Sequence, residues 1–154
     1  MPNHCYNRII VPKNYIERVK EAIKGPNGPV DFNSLIPMPE ELREAATAPH
    51  EKSKWTKEHR RRFKKYGATD WYMFSNKFWG TKWNAYAFGE FPGNVEGGIE
   101  SFTTAWGPPE PFFYALSRKF PTITIKVDYD IELSNGAGTF YYRGGKCTGR
   151  GTER

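Results

Sequence analysis

The strongest constraint on the fold is an alternation of apolar and polar residues over residues 122–133. The apolar positions are Ile123, Ile125, Val127, Tyr129, Ile131 and Leu133. A period of two places successive side chains on opposite faces of a strand, so the pattern predicts a long strand with one buried and one solvated face. Such one-sided burial is typical of an antiparallel sheet. Asn135-Gly136 then signals a tight turn, and a final strand is predicted over 139–143.

The other segments supply further strands and the helices that would cover this sheet. Strands are predicted at 6–11, 84–91 and 99–106, and helices at 14–25 and 108–120, where apolar residues recur at helical spacing. In chain order these elements make the split βαβ pattern of an α+β, ferredoxin-like fold. The prediction is an antiparallel sheet with two core helices on one face and an extra C-terminal strand.

The chain length of 154 residues corresponds to one domain. We expect a single ferredoxin-like domain over 1–143, with a helical insertion at about 39–80, and a frayed tail over 144–154. No signal peptide and no run of ~20 apolar residues is visible, so a cytoplasmic protein without membrane contact is expected. Cys5 and Cys147 form no CxxC pair, so neither a disulfide framework nor a metal site is predicted.

The net charge is concentrated in residues 51–66. This segment holds eight basic and two acidic residues, which accounts for the whole formal charge of +6. Cations grouped on one helix can neutralise phosphates or meet an acidic protein surface. The residues expected to make these contacts are Lys57, Arg60, Arg61, Arg62, Lys64 and Lys65. Because Arg60, Arg61 and Arg62 avoid the apolar stripe of the helix, replacing these three with Ala is expected to weaken binding and to leave the fold intact.

The same segment carries an apolar stripe of Trp55, His59, Phe63 and Tyr66 at helical spacing. Trp55 or Tyr66 could stack on nucleic-acid bases. The alternative is that the stripe docks a solvated helix against the rest of the domain.

A second candidate site is Trp79, Lys82, Trp83 and Asn84, where two indoles and two polar side chains could form an aromatic wall with polar readers. The favoured alternative is that the indoles seal the insertion against the sheet. Asp128, Asp130 and Glu132 share one face of a strand, which could hold a cation but is more often the solvated side of the strand.

Catalytic motifs do not appear in the sequence. The three histidines form neither HxxxH nor HExxH, and no GxSxG or GxxxxGK[ST] is present. No enzymatic activity and no cofactor are therefore expected.

Four motifs, in order, resemble those of the YubB-type ferredoxin-like proteins carried by phages and conjugative plasmids. They are MPNHCYNR at 1–8, DFNSLIPMPEEL at 31–42, WGTKWNA at 79–85 and FTTAWGPP at 102–109. His4 departs from the family, which more often has Trp there. The resemblance implies a ferredoxin-like fold and a mobile element in a bacterial host cell, and it supplies no catalytic residues.

These observations together predict an accessory protein that acts by binding. The expected partner is a nucleic acid or a nucleoprotein, held by the basic helix. The alternative is an anti-CRISPR-like inhibitor of a host defence complex, in which the same helix contacts an acidic host protein.

Overall fold

The computed structural model describes residues 3–91, 95–133 and 136–152 of the chain. Five strands form one sheet: β1 (His4–Ile10), β2 (Phe102–Ala105), β3 (Ile125–Ile131), β4 (Gly136–Arg143) and β5 (Lys146–Thr152). The α-helices are α1 (Ile16–Ile23), α2 (Glu40–Arg43), α3 (Lys57–Tyr66), α4 (Trp71–Phe74) and α5 (Glu110–Lys119), and α4 continues as a π-helical turn over Ser75–Trp79. Within the described residues, no helix is long and apolar enough to cross a membrane.

The sheet has the order β2-β1-β3-β4-β5, and all neighbouring strands are antiparallel. β1 lies between β2 and β3, with Cys5 opposite both Thr104 and Ile131. Because α5 connects β2 to β3 while β1 occupies the place between them, this is the split βαβ arrangement that the sequence predicts.

The alternating segment forms β3, which is shorter than the predicted strand, because Leu133 lies beyond its end at φ 61° and is 81% exposed. Ile125 and Val127 are fully buried, whereas Lys126 and Asp128 on the other face are partly exposed. The buried face belongs to the same core cluster as α1, through Val19, and α5. The tight turn predicted at Asn135-Gly136 lies partly outside the described residues, because Asn135 is not among them.

The strand predicted over 84–91 does not form. Only Tyr86 pairs with the sheet, by a single antiparallel bridge to Thr103 of β2. Two residues turn the backbone out of the strand conformation, Ala87 at φ 46° and Gly89 at φ 80°. The segment still runs along the outer edge of β2, where the second strand of a ferredoxin-like sheet would lie.

The tail over 144–154, predicted to be frayed, instead contains β5. Gly144 and Gly145 both have positive φ and turn the chain back onto β4 in a two-residue hairpin. Arg150 attaches β5 to the rest of the domain although the strand has few apolar residues. Its guanidinium lies 4.7 Å from the Phe140 ring centroid, and its Nη2 donates to Glu110 Oε1 at 2.7 Å.

Phe32 is the centre of an aromatic cluster that joins three parts of the chain. Its ring centroid lies 4.7 Å from Phe112 of α5, 5.9 Å from Phe102 of β2 and 5.7 Å from Trp79 at the end of the helical segment. Phe32 itself is fully buried. The cluster therefore fixes the helices of residues 40–79 against the sheet.

The Asp31 carboxylate, in the residue before Phe32, is the centre of a group of hydrogen bonds beside this cluster. It accepts hydrogen bonds from Asn84 Nδ2 at 2.8 Å, from the Asn33 amide at 3.0 Å and from the Asn27 amide at 3.2 Å. Asn84 Oδ1 in turn accepts from the Phe32 amide at 2.9 Å. Burial alone would raise the pKa of the Asp31 carboxyl, but these hydrogen bonds outweigh it and hold the pKa below its usual value.

Replacing Phe32 with Ala should lower the free energy of unfolding by about 3–5 kcal/mol, because a fully buried aromatic side chain is lost and a cavity remains. Urea denaturation measures this change. Phe32→Leu should cost less, and the control Val95→Ala, at a side chain 41% exposed, should change stability by less than about 0.5 kcal/mol. Equal effects of Phe32→Ala and Val95→Ala would contradict the role of the cluster.

The ionised Asp31 should stabilise the fold at neutral pH. Because its pKa is lowered on folding, this contribution is present above about pH 4 and is lost as the pH falls through the folded-state value. Asp31→Asn should lower the free energy of unfolding by about 1–3 kcal/mol at pH 7, and the difference from wild type should shrink at acid pH. Denaturation at pH 7 and at acid pH tests this, with Glu44→Gln as the control, because Glu44 is exposed. A difference that does not change with pH would refute it.

Candidate nucleic-acid interface

The basic segment forms α3, and its ends are defined by two local signals. The Thr56 hydroxyl accepts from the His59 amide at 3.2 Å, and His59 Nδ1 accepts from the Thr56 amide at 3.0 Å. Gly67, at φ 78°, ends the helix in the left-handed conformation. Because His59 completes the N-terminal cap, its imidazole helps to hold the start of the helix.

Trp55, predicted as a possible base stacker, is buried instead. Only 8% of it is exposed, and its indole N–H donates to the Pro49 carbonyl at 2.8 Å. Its ring centroid lies 5.2 Å from that of Phe63. Trp55 thus anchors the start of α3 and presents no ring face to a partner.

Tyr66 is also held by the protein. Its ring is half-buried against the core, and its hydroxyl donates to Glu41 Oε1 at 3.0 Å. The same carboxylate of α2 forms an ion pair with Arg61, which pairs with Glu58 as well. The Arg61 guanidinium lowers the pKa of both carboxyls. Tyr66 and Arg61 therefore tie α3 to α2.

Arg62, predicted as a phosphate contact, points inward. Only 13% of its side chain is exposed. Its Nε donates to the Thr69 carbonyl at 2.7 Å, and Nη1 lies 3.5 Å from Glu58 Oε1. The expectation that this side chain can be replaced without effect on the fold is therefore wrong, because Arg62 braces the turn that leaves α3.

Four of the predicted contact residues remain on the outer surface of α3. Lys57, Arg60, Lys64 and Lys65 are all exposed. Within the part of the chain that the structure describes, Lys57, Arg60 and Lys64 have no acidic partner, and Lys65 Nζ rests 5.2 Å from the Tyr66 ring. The spacing of Lys57, Arg60 and Lys64 is that of one helical face, so three uncompensated cations point in the same direction.

The second candidate site divides into two parts. Trp79 is 4% exposed, and its indole donates to the Ile36 carbonyl at 2.8 Å. The Asn84 side chain is hydrogen-bonded to the Asp31 carboxylate and the Phe32 amide. Both residues therefore stabilise the fold. Trp83, by contrast, is 39% exposed, and Lys82 Nζ lies 4.9 Å from its ring centroid.

The sequence reading missed Tyr72. This residue of α4 is 46% exposed. It also lines a groove of about 760 Å³ between α4 and residues 47–55. Tyr72 lies outside the near-helical spacing of Trp71, Phe74 and Phe78, and this offset is the signal in the sequence that could have marked its ring as exposed.

The carboxylates of β3 lie on the face of the sheet opposite the helices. Asp128 accepts from the Thr139 hydroxyl at 2.8 Å and faces Arg8 in the register of the two strands. Among the described residues, no group of three or more His, Cys, Asp or Glu side chains is arranged to hold a metal ion. Burial raises the pKa of the Cys5 thiol to about 12, which favours the protonated thiol over the thiolate at neutral pH.

The sheet and its C-terminal hairpin can be compared with known proteins. Residues 78–153 match the family model described as the ferredoxin-like domain in Api92-like protein. The matched residues contain β2 to β5 and α5, whereas β1, from outside them, lies between β2 and β3. The basic helix α3 also lies outside the match.

A crystal structure of the protein api92 from Yersinia pseudotuberculosis is similar along the whole chain. The likeness covers 100% of this chain and 99% of that one, with a TM-score of 0.57 and 9% sequence identity. At that identity, the comparison supports the fold alone. No curated protein sequence matches the chain.

The two neighbouring arginines of α3 should respond differently to truncation. Arg62→Ala should lower the free energy of unfolding by about 1.5–3 kcal/mol, since it removes a charged hydrogen bond to a buried turn. Arg60→Ala is the matched control, because it removes the same group from an exposed position, and it should change stability by less than about 0.5 kcal/mol. Chemical denaturation compares the two, and equal losses would contradict the assignment.

Proposed function

We propose that the protein binds nucleic acid through the outer face of α3. The observation that carries the proposal is the alignment of Lys57, Arg60 and Lys64, which are exposed and have no acidic partner among the described residues. Uncompensated cations in a row can each displace a counterion from a phosphate.

The attachment of α3 supports this function. The side of the helix that faces the protein is held by Trp55, Phe63 and Arg62, so the outer face keeps a constant orientation. A helix that is already held in place binds without the entropy cost of ordering its backbone. Since these contacts are to phosphate and not to bases, we expect affinity with little sequence preference.

The setting that we propose is that of a phage or plasmid accessory protein in a bacterial cytoplasm. It rests on the resemblance of residues 1–8, 31–42, 79–85 and 102–109 to proteins of such elements. We further propose that the protein acts by binding and not by catalysis.

Removing the three cations together, in Lys57→Ala/Arg60→Ala/Lys64→Ala, should weaken nucleic-acid binding. The slope of log K against log salt should become shallower by about 2 to 3, because each lost phosphate contact removes about 0.7 on a single strand and about 0.9 on a duplex. Fluorescence anisotropy with a labelled oligonucleotide, over a salt series, measures the affinity and the slope. The fold should be retained, because all three side chains are exposed.

The matched control is Lys13→Ala/Lys119→Ala/Lys146→Ala, which removes the same charge from exposed positions outside α3. Its salt slope should remain that of wild type. Equal losses in both triple variants would show that only net charge matters, and the absence of binding at low salt would refute the proposal. A partner that is retained from host lysate after nuclease treatment would indicate an acidic host protein instead.

A further inference from the structure

Tyr72 offers a ring face next to the basic helix. It is 46% exposed, and the neighbouring Trp71 meets it edge-on, with ring centroids 5.7 Å apart and planes at 87°. An edge-on neighbour supports a ring from the side. Large aromatic residues kept at the surface are typical of binding sites, where a flat apolar ligand can cover them.

Trp83 provides a second exposed ring, and Lys82 connects the two. Lys82 Nζ lies 6.0 Å from the ring centroid of Tyr72 and 4.9 Å from that of Trp83. The ammonium covers part of one face of each ring. Because Tyr72 and Trp83 are still 46% and 39% exposed, the charge lies beside their accessible surface, where a phosphate between two stacked bases would pass.

The groove beside Tyr72 is apolar at its walls and positive at its rim. Its walls include Pro49, Trp55 and Met73, while Lys52 and Lys77 lie along its margin. Asp70 also lines the groove, but it is 2% exposed and its carboxylate accepts from the amides of Ala48 and Met73, at 3.0 and 2.9 Å.

The two marginal lysines lead from the groove to α3. Lys52 Nζ and Lys77 Nζ lie 5.4 and 5.3 Å from the ring centroid of Phe63, and Lys77 also donates to the Gly67 carbonyl at 3.0 Å. Arg60 is three residues before Phe63 and so occupies the adjoining strip of the helix. Positive charge therefore continues from the outer face of α3 to the rim of the groove.

From this arrangement we infer that the ligand is single-stranded nucleic acid, with phosphates on α3 and on the rim lysines and with unpaired bases stacked on Tyr72 and Trp83. The inference rests on the proposed function and narrows its ligand. A duplex keeps its bases stacked inside and can use only the cations, whereas a single strand can use the rings as well.

The test compares Tyr72→Ala with Tyr72→Phe, which keeps the ring. The probes are labelled oligothymidine and oligouridine of about 15 nucleotides, and a mixed-sequence DNA duplex of the same length. Tyr72→Ala should bind both single strands about 10-fold more weakly and the duplex as wild type does. Tyr72→Phe should bind like wild type, as should the control Tyr141→Ala, which truncates a 39% exposed tyrosine on β4.

The outcomes separate the inference from the function on which it rests. The stacking inference is overturned if Tyr72→Ala binds single strands like wild type, or if it loses the same affinity for single strands as for the duplex. In either case, binding through α3 stands. If no probe binds wild type at low salt, both fall. Tryptophan fluorescence supplies a second measurement. A base that stacks on Trp83 should quench its fluorescence when a single strand is added, so Trp83→Phe should show less quenching than wild type. Because thymine also carries a 5-methyl group that uracil lacks, oligodeoxyuridine is added as a probe, and its affinity relative to oligouridine assigns the strand to DNA or RNA.

Discussion

The packing of Phe32 against Phe112, Phe102 and Trp79 is the contact on which the rest of the structure depends. It joins a helix, a strand and the end of the helical segment in one fully buried cluster. Asp31, the residue before it, organises the neighbouring backbone through asparagine hydrogen bonds. Because these two residues are adjacent, one short turn fixes both the apolar and the polar contacts between the sheet and the basic region.

The charge of α3 is divided by the way in which the helix is attached. Arg61 and Arg62 hold α3 to its surroundings through Glu41 and the Thr69 carbonyl, and both also pair with Glu58 of the same helix. The cations left for a partner, Lys57, Arg60 and Lys64, are fewer than the basic residues of the segment, and all three lie on one face of the helix. Arg62 also holds the turn between α3 and α4, and the groove that Tyr72 lines includes Lys77, whose Nζ lies 5.3 Å from the Phe63 ring of α3.

The sheet could be predicted well, because β1 and β3 carry strong local patterns and the connection through α5 permits few arrangements. Two predictions there were wrong for local reasons. The segment 84–91 has the composition of a strand but bends at Ala87 and Gly89, and the tail lacks apolar residues but is folded back by Gly144-Gly145. In the candidate site, helical spacing predicted that Lys57 and Arg60 point outward and left open whether Trp55 stacks on bases or docks the helix; its burial in the structure decides for docking.

By itself, the sequence determined the split βαβ order, the position of the basic helix and the amphipathic character of that helix, since these depend on local spacing and composition. Tertiary structure decided which cations remain unpaired and which aromatic rings stay exposed. The reason is physical: the partners of Arg61 and Arg62 and the cover over each ring come from other segments, such as Glu41 for Arg61. Exposure is a property of the folded neighbourhood, and no spacing along the chain records it.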